Sequence, residues 1–240
     1  MFVADTQNNS IRKITQEGVV STIAGGIMGY AEGNGTSARF NLPNALAFDK
    51  NGNLFVADIL NHAIRMIAPT GEVSTFAGGS QGNTTGTGGQ AQFNTSGGIA
   101  FDDQGNLFVV DTSNCRIMKV TPDRAVTTYA GSTQGFTDGT VQEAKFAFPT
   151  DIAFDSTGRM LVADTGNQCI RIIGLDGTVT TIAGGTNGMN DGSGVRGKID
   201  GTGSMAKFDD PINLAFDSTG CLYVSDAENC LVRSIRYILK

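Results

Sequence analysis

Apolar residues in this chain gather in short runs of four to six, broken by glycine, proline, asparagine or aspartate. From Asn44 the runs are Ala45–Phe48, Leu54–Ala57, Ala63–Ile67 and Glu72–Ala77, closed by Asp49-Lys50-Asn51-Gly52, Asp58–Asn61, Pro69-Thr70-Gly71 and Gly78-Gly79. They are rich in Val, Ile, Phe and Thr, and the third and fourth alternate polar with apolar. That pattern predicts four antiparallel strands joined by tight turns.

The unit repeats. Met1-Phe2-Val3-Ala4-Asp5 returns at Leu54–Asp58, Leu107–Asp111, Met160–Asp164 and Leu222–Asp226, at intervals of 53, 53, 53 and 62 residues. A period of this size signals repeated supersecondary units. The count predicts 18 strands: three complete units flanked by two three-stranded ones. Residues recurring in every unit are expected to build it, so chemistry is sought in what does not repeat.

Two aspartate series sit at the turns. Asp49, Asp102, Asp155 and Asp217 each stand three residues before a glycine, as an Asx turn with a positive-φ glycine requires. Asp5, Asp58, Asp111, Asp164 and Asp226 each precede an asparagine by three, and are also read as Asx-type turns. Nine copies argue against a single carboxylate site. Phe40, Phe93, Phe146 and Phe208 recur just ahead of the first strand of the next unit, where an aromatic would plug the space between units.

These motifs resemble the NHL repeat family, whose core runs G-x-L/M-hydrophobic-V-A-D-T-x-N-x-x-I-R-K/x-I. Here the matching segments are Met1–Ile14, Gly52–Ile67, Gly105–Val120, Gly158–Ile173 and Gly220–Ile235, with arginines at Arg12, Arg65, Arg171 and Arg233. The third segment departs, with Met118 in that place and Arg116 two positions earlier. The resemblance implies an all-β fold, a β-propeller of four-stranded antiparallel blades. The blades are expected near 1–26 (partial), 44–79, 97–132, 150–185 and 212–240 (partial), in one domain or domain fragment over 1–240. Closure with six blades is usual in the family, so this chain is expected to supply about four and a half blades of a larger propeller. First strands such as Ala45–Phe48 are expected at the central axis and Thr-rich fourth strands at the rim.

Composition narrows the function. The net charge is −6 and the 17 basic residues are scattered, which argues against nucleic acid as a partner. No stretch is apolar enough to span a membrane as a helix. Cys115, Cys169, Cys221 and Cys230 occupy positions that favour free thiols, and no Cys-x-x-Cys motif marks a zinc site. Sequons at Asn8, Asn34, Asn83 and Asn94 suit a secreted or cell-surface protein. The single histidine, His62, lies at a turn position and is expected to face solvent.

The segments that vary most are the glycine-rich linkers 26–39, 79–92, 132–145 and 185–207. The fourth holds nine extra residues and supplies the candidate binding residues Asp191, Arg196, Lys198 and Asp200. Their acids could offer oxygen ligands to Ca²⁺, but no D-x-D-x-D-G series is present, so no metal and no other cofactor is assigned. The expected role is a non-catalytic scaffold presenting linkers to a protein or glycan. The alternative is a lyase- or hydrolase-type propeller enzyme, its metal site completed by blades outside this chain.

Overall fold

The computed structural model describes residues 1–185 and 195–236. Almost all regular structure is strand, in five small antiparallel sheets. The first holds β1 (Phe2–Asp5), β2 (Ser10–Ile14) and β3 (Val20–Gly25). The second holds β4 (Gly33–Asn34), β5 (Pro43–Phe48), β6 (Leu54–Asp58), β7 (Ala63–Ile67) and β8 (Glu72–Gly78). The third holds β9 (Gly86–Thr87), β10 (Ser96–Phe101), β11 (Leu107–Asp111), β12 (Arg116–Val120) and β13 (Ala125–Gly131). The fourth holds β14 (Gly139–Thr140), β15 (Asp151–Phe154), β16 (Met160–Asp164), β17 (Cys169–Ile173) and β18 (Thr178–Gly184). The fifth holds β19 (Pro211–Phe216), β20 (Leu222–Asp226) and β21 (Leu231–Ile235).

The chain forms two compact units that divide within the third sheet. One is Met1–Asp111 with Lys119–Thr127, the other Thr112–Met118 with Thr128–Lys240. In the first unit β5 runs beside β1 and β10; in the second β15 runs beside β19. Within each unit, β5 and β19 thus lie where neighbouring sheets meet, β5 against β1 and β10 and β19 against β15 and β16.

Four-stranded units are only part of the result. The linkers are not plain loops: each of three contributes a two-residue strand at the far edge of the sheet it leads into. The second sheet is ordered β4-β8-β7-β6-β5 and the fourth β14-β18-β17-β16-β15. Gly33 pairs with Val73, Gly86 with Val126 and Gly139 with Val179. A small residue opposite a β-branched one lets the linker backbone come close enough to bond. The first strands also begin earlier than their apolar runs, at Pro43, Ser96, Asp151 and Pro211.

Packing follows the repeat. Phe40, Phe93, Phe146 and Phe208 are all fully buried. Phe40 belongs to an apolar cluster with Ile11, Ala24, Leu54 and Val56, and Phe208 to one with Leu161, Ile170, Leu222 and Val224. Each cluster draws on two successive sheets, so no sheet buries its apolar faces alone.

Candidate functional site

The first aspartate series forms the turns expected of it. Asp49 Oδ1 accepts the N–H groups of Asn51 (2.9 Å) and Asn53 (2.8 Å), and Asp155 Oδ1 those of Thr157 (2.9 Å) and Arg159 (3.0 Å). Burial raises the Asp155 carboxyl, but bonds from Thr157 and Arg159 together outweigh it and bring it to about 2.

The second series does something the sequence reading missed. Asp58 makes no capping bond to its own turn, which is a 3₁₀ turn closed by His62 in the left-handed region. Instead Asp58 Oδ1 accepts the Asn41 N–H at 2.7 Å. Its Oδ2 accepts Asn61 Nδ2 at 2.8 Å and Arg65 Nη1 at 3.1 Å. Arg65 then donates to two linker carbonyls, Arg39 (3.2 Å) and Ala31 (2.9 Å). Asp164, Asn167 and Arg171 repeat this against Ala147, Lys145 and Thr137. Asp226, Asn229 and Arg233 repeat it against Asp209, Lys207 and Ile199. The Asp, Asn and Arg of the repeat are therefore one device that clamps the second, fourth and fifth sheets to the linkers leading into them.

Aromatic rings complete the device. The Arg65 guanidinium lies 4.8 Å from the Tyr30 ring centroid and 5.5 Å from that of Phe40; Arg171 lies between Phe136 (5.1 Å) and Phe146 (5.2 Å). Linker carboxylates join it: Asp138 meets Arg171 at 2.6 Å and Asp200 meets Arg233 at 2.6 Å. Burial lifts the Asp164 carboxyl to about 6, against Arg171, Asn167 and the Ala147 N–H. Burial pulls Arg171 down, but the Asp164 carboxylate and its neighbours hold it above its ordinary value. In the third repeat the aromatic, the acid and the arginine change together, to Asn83, Thr85 and Met118.

His62 is half-buried rather than turned to solvent, and its Nδ1 accepts the Thr95 N–H at 3.4 Å. Asn9 Oδ1 serves Leu42 N–H (2.9 Å) and Gln168 Oε1 serves Asp210 N–H (2.6 Å) in the same way. These turn residues are acceptors that staple the next first strand, where Leu42, Thr95 and Asp210 hold positive φ. None of the four cysteines is in a disulfide; Cys115, Cys169 and Cys221 are buried and Cys230 is exposed.

Of the linker candidates, Asp191 lies outside the described residues. Arg196 bonds Asp209 at 2.7 Å and Asp210 at 3.3 Å, Lys198 is exposed, and Asp200 turns to Arg233. Arg196 and Asp200 engage separate partners instead of converging. Nor do they belong to the insertion. Gly197 N–H bonds Phe208 O as Gly135 N–H bonds Phe146 O, so residues 196–207 keep the regular linker register. The extra residues therefore fall between Gly185 and Arg196.

One non-repeating acid does emerge. Asp151 opens β15, where the earlier repeats have Gly98 and Ala45. Its Oδ2 accepts the Leu214 N–H at 2.8 Å, and burial pushes its carboxyl up to about 6. Beside it, the Thr150 and Thr165 hydroxyls meet at 2.7 Å. A departure from the period at 151 was the sequence signal. Among the described residues, no group of three or more His, Cys, Asp or Glu side chains could hold a metal ion. Nor is any helix there long and apolar enough to cross a membrane.

Comparison with known proteins agrees with this construction. The family profile described as NHL repeat matches residues 146–173. The chain is 33% identical over 131 residues to the human NHL repeat-containing protein 2, covering 49% of this chain and 18% of that protein. It thus spans under a fifth of that curated relative's length. Among solved structures, an auxiliary nutrient binding protein from Bacteroides ovatus superposes with a TM-score of 0.67 at 19% identity, covering 94% of this chain and 58% of the other. Virginiamycin B lyase from Staphylococcus aureus superposes with a TM-score of 0.58 at 12% identity, covering 100% and 81%. At these identities the superpositions show the fold alone: an all-β β-propeller with five small antiparallel blades.

Proposed function

We propose that this chain, which belongs to the NHL-repeat β-propellers, is a non-catalytic binding module that presents its linkers to a protein or glycan. The observation that carries the reading is where the repeated polar groups go. Asp58, Asp164, Asp226 and their arginines are consumed in clamping linkers, and His62 in stapling a strand. The device holds the linkers into the second, fourth and fifth sheets at two carbonyls each, so a variable surface rests on a fixed frame, as binding loops require. Asp191, Arg196, Lys198 and Asp200 are the proposed contact residues, with Lys198 exposed and Arg196 mostly so. The acidic balance favours a neutral or basic partner over nucleic acid. The four sequons support a secreted or cell-surface setting.

The test places a photo-crosslinking residue at Lys198 or, as control, at Lys50 in a first-series turn, and captures partners from the native source. Adducts concentrated at position 198 support the reading. Adducts equal or greater at position 50 overturn it.

A second reading, the propeller enzyme of lyase or hydrolase type with a metal site completed by blades outside this chain, is favoured by Asp151. It breaks the repeat and sits on a first strand with a raised carboxyl. Turnover of a lactone or ester panel by the whole protein that contains this chain, abolished by Asp151→Asn, would support it; a panel left untouched by that whole protein would count against it.

A further inference from the structure

The cleft between the second and third sheets has an aromatic floor that neither the turns nor the clamps use. It measures about 760 Å³, and all its lining residues lie in the first compact unit. They run from Phe48 to Pro122, so both walls are supplied from inside the chain. Phe55, Phe76 and Phe101 form the floor with Met66. The Phe55 ring meets Phe76 at 4.9 Å and Phe101 at 5.0 Å, both edge to face.

The repeat shows what such a ring ordinarily meets. Phe2 stands opposite Lys13 in the β1–β2 register, and the lysine Nζ lies 5.9 Å from the Phe2 ring centroid. In the third sheet Lys119 Nζ lies 5.8 Å from the Phe108 centroid. Phe55 occupies the same position in the second sheet, but the residue opposite it is Met66. Of the three sheets with phenylalanine here, only the second lacks the lysine. Aromatic faces attract cations, and methionine offers none. The space changes with the residue. The cleft lined by Lys13 and Phe2 measures about 350 Å³, against about 760 Å³ where Met66 stands. The Arg124 guanidinium lies 5.6 Å from the Phe76 centroid but does not line the larger cleft.

The mouth of the cleft is acidic. Asp49, Asp102 and Asp103 line it against one cation, Lys50. Lys50 Nζ donates to the Asp103 carbonyl at 2.6 Å and so ties the two turns together. Asp49 and Asp102 are held by N–H groups of their own turns, from Asn51 at 2.9 Å and Gln104 at 3.0 Å. We propose that this cleft binds a small organic cation, an ammonium group on an aromatic or alkyl stem. It supplies from solution what Lys13 and Lys119 supply within their own sheets. The stem packs on the floor of phenylalanines and Met66, and the ammonium is drawn to the carboxylates at the mouth. The size suits it, since small-ligand pockets run about 300 to 1,000 Å³ and pair an apolar lining with a few polar groups. The cleft opens at the end of β5 that leads into the Asp49 turn, whereas the linker enters at Pro43. This site therefore goes beyond the linker reading and stands or falls apart from it.

The probe is radiolabelled phenethylammonium, measured by equilibrium dialysis against the whole protein that contains this chain. Saturable binding is expected. Met66→Lys restores the lysine of the first and third sheets, and should weaken binding about tenfold with an unchanged melting temperature. Phe76→Ile, which copies Ile23 and Ile182, removes a ring from the floor and should weaken it about threefold. Neutral phenethyl alcohol should compete about tenfold less well than the unlabelled ammonium. Absence of saturable binding overturns the proposal. Binding indifferent to either substitution places the ligand elsewhere and overturns it too. Equal competition by the alcohol would make the cleft an apolar site only and refute the cation.

Discussion

Arg65 Nη1 lies 3.1 Å from Asp58 Oδ2, and neither side chain is reached by solvent. The pair is worth little as a charge contact alone, since burying both ions offsets most of their attraction. Its value lies in what the guanidinium does next: it bonds the Arg39 and Ala31 carbonyls of the linker, the second of which also accepts the Arg39 N–H.

Removing one partner should therefore be severe. Arg65→Ala or Arg171→Ala is expected to cost about 3 to 5 kcal/mol, leaving a buried carboxylate without its charge partner and taking one bond from each of two linker carbonyls. Arg12→Ala should cost under about 1 kcal/mol, because Arg12 is 35% exposed and 3.9 Å from Asp5. Urea unfolding of the three variants checks this; equal losses would refute the clamp.

Glycine positions separate packing from backbone strain. Gly78 has φ +79°, and a Cβ there would lie 2.4 Å from His62 O and 2.6 Å from the Phe93 ring. Gly18 has nearly the same φ, +82°, with nothing within 4 Å. Gly18→Ala should cost about 1 kcal/mol and Gly78→Ala several times that. Thermal melts of the pair give the comparison.

The staple reading of His62 predicts rescue by a shape mimic. His62→Ala should lose about 1 kcal/mol with the Thr95 N–H bond. His62→Asn should retain most of it, because Asn9 makes the same bond to Leu42. A histidine with a chemical role would show the opposite pattern: full stability but lost activity in both variants.

Two aspartates should bend the pH profile in opposite directions. Asp151 has a folded value of about 6 against an unfolded one near 4, so stability rises as pH falls from about 6 to 4. Asp151→Asn removes the burial penalty on the ionised form. It should gain roughly 1 to 3 kcal/mol at pH 7, a gain that vanishes by about pH 4. Asp155, at about 2, contributes stability present above about pH 4 and lost as pH falls through 2. Asp155→Asn should lose that contribution at neutral pH and flatten the acid limb. Chemical denaturation at pH 2, 4, 5.5 and 7 tests both.

The sequence by itself determined the repeat, its strands and its first turns, because strand alternation, Asx turns and positive-φ glycines are local matters written within a few residues. It also marked Phe40, Phe93, Phe146 and Phe208 as packing residues through their period. What Asp58 and Arg65 do was decided only by the tertiary structure. Their partners, Asn41, Arg39 and Ala31, come from a linker up to 34 residues away, and no local pattern distinguishes a carboxylate that caps a turn from one that grips a distant N–H. The same holds for Gly33 and Gly139, read as loop glycines until their backbones are seen pairing with Val73 and Val179. Asp200 stood out in the sequence for an insertion to which it does not belong. Its contact with Arg233 follows from which strands fold together, and that joins residues 33 positions apart in the chain.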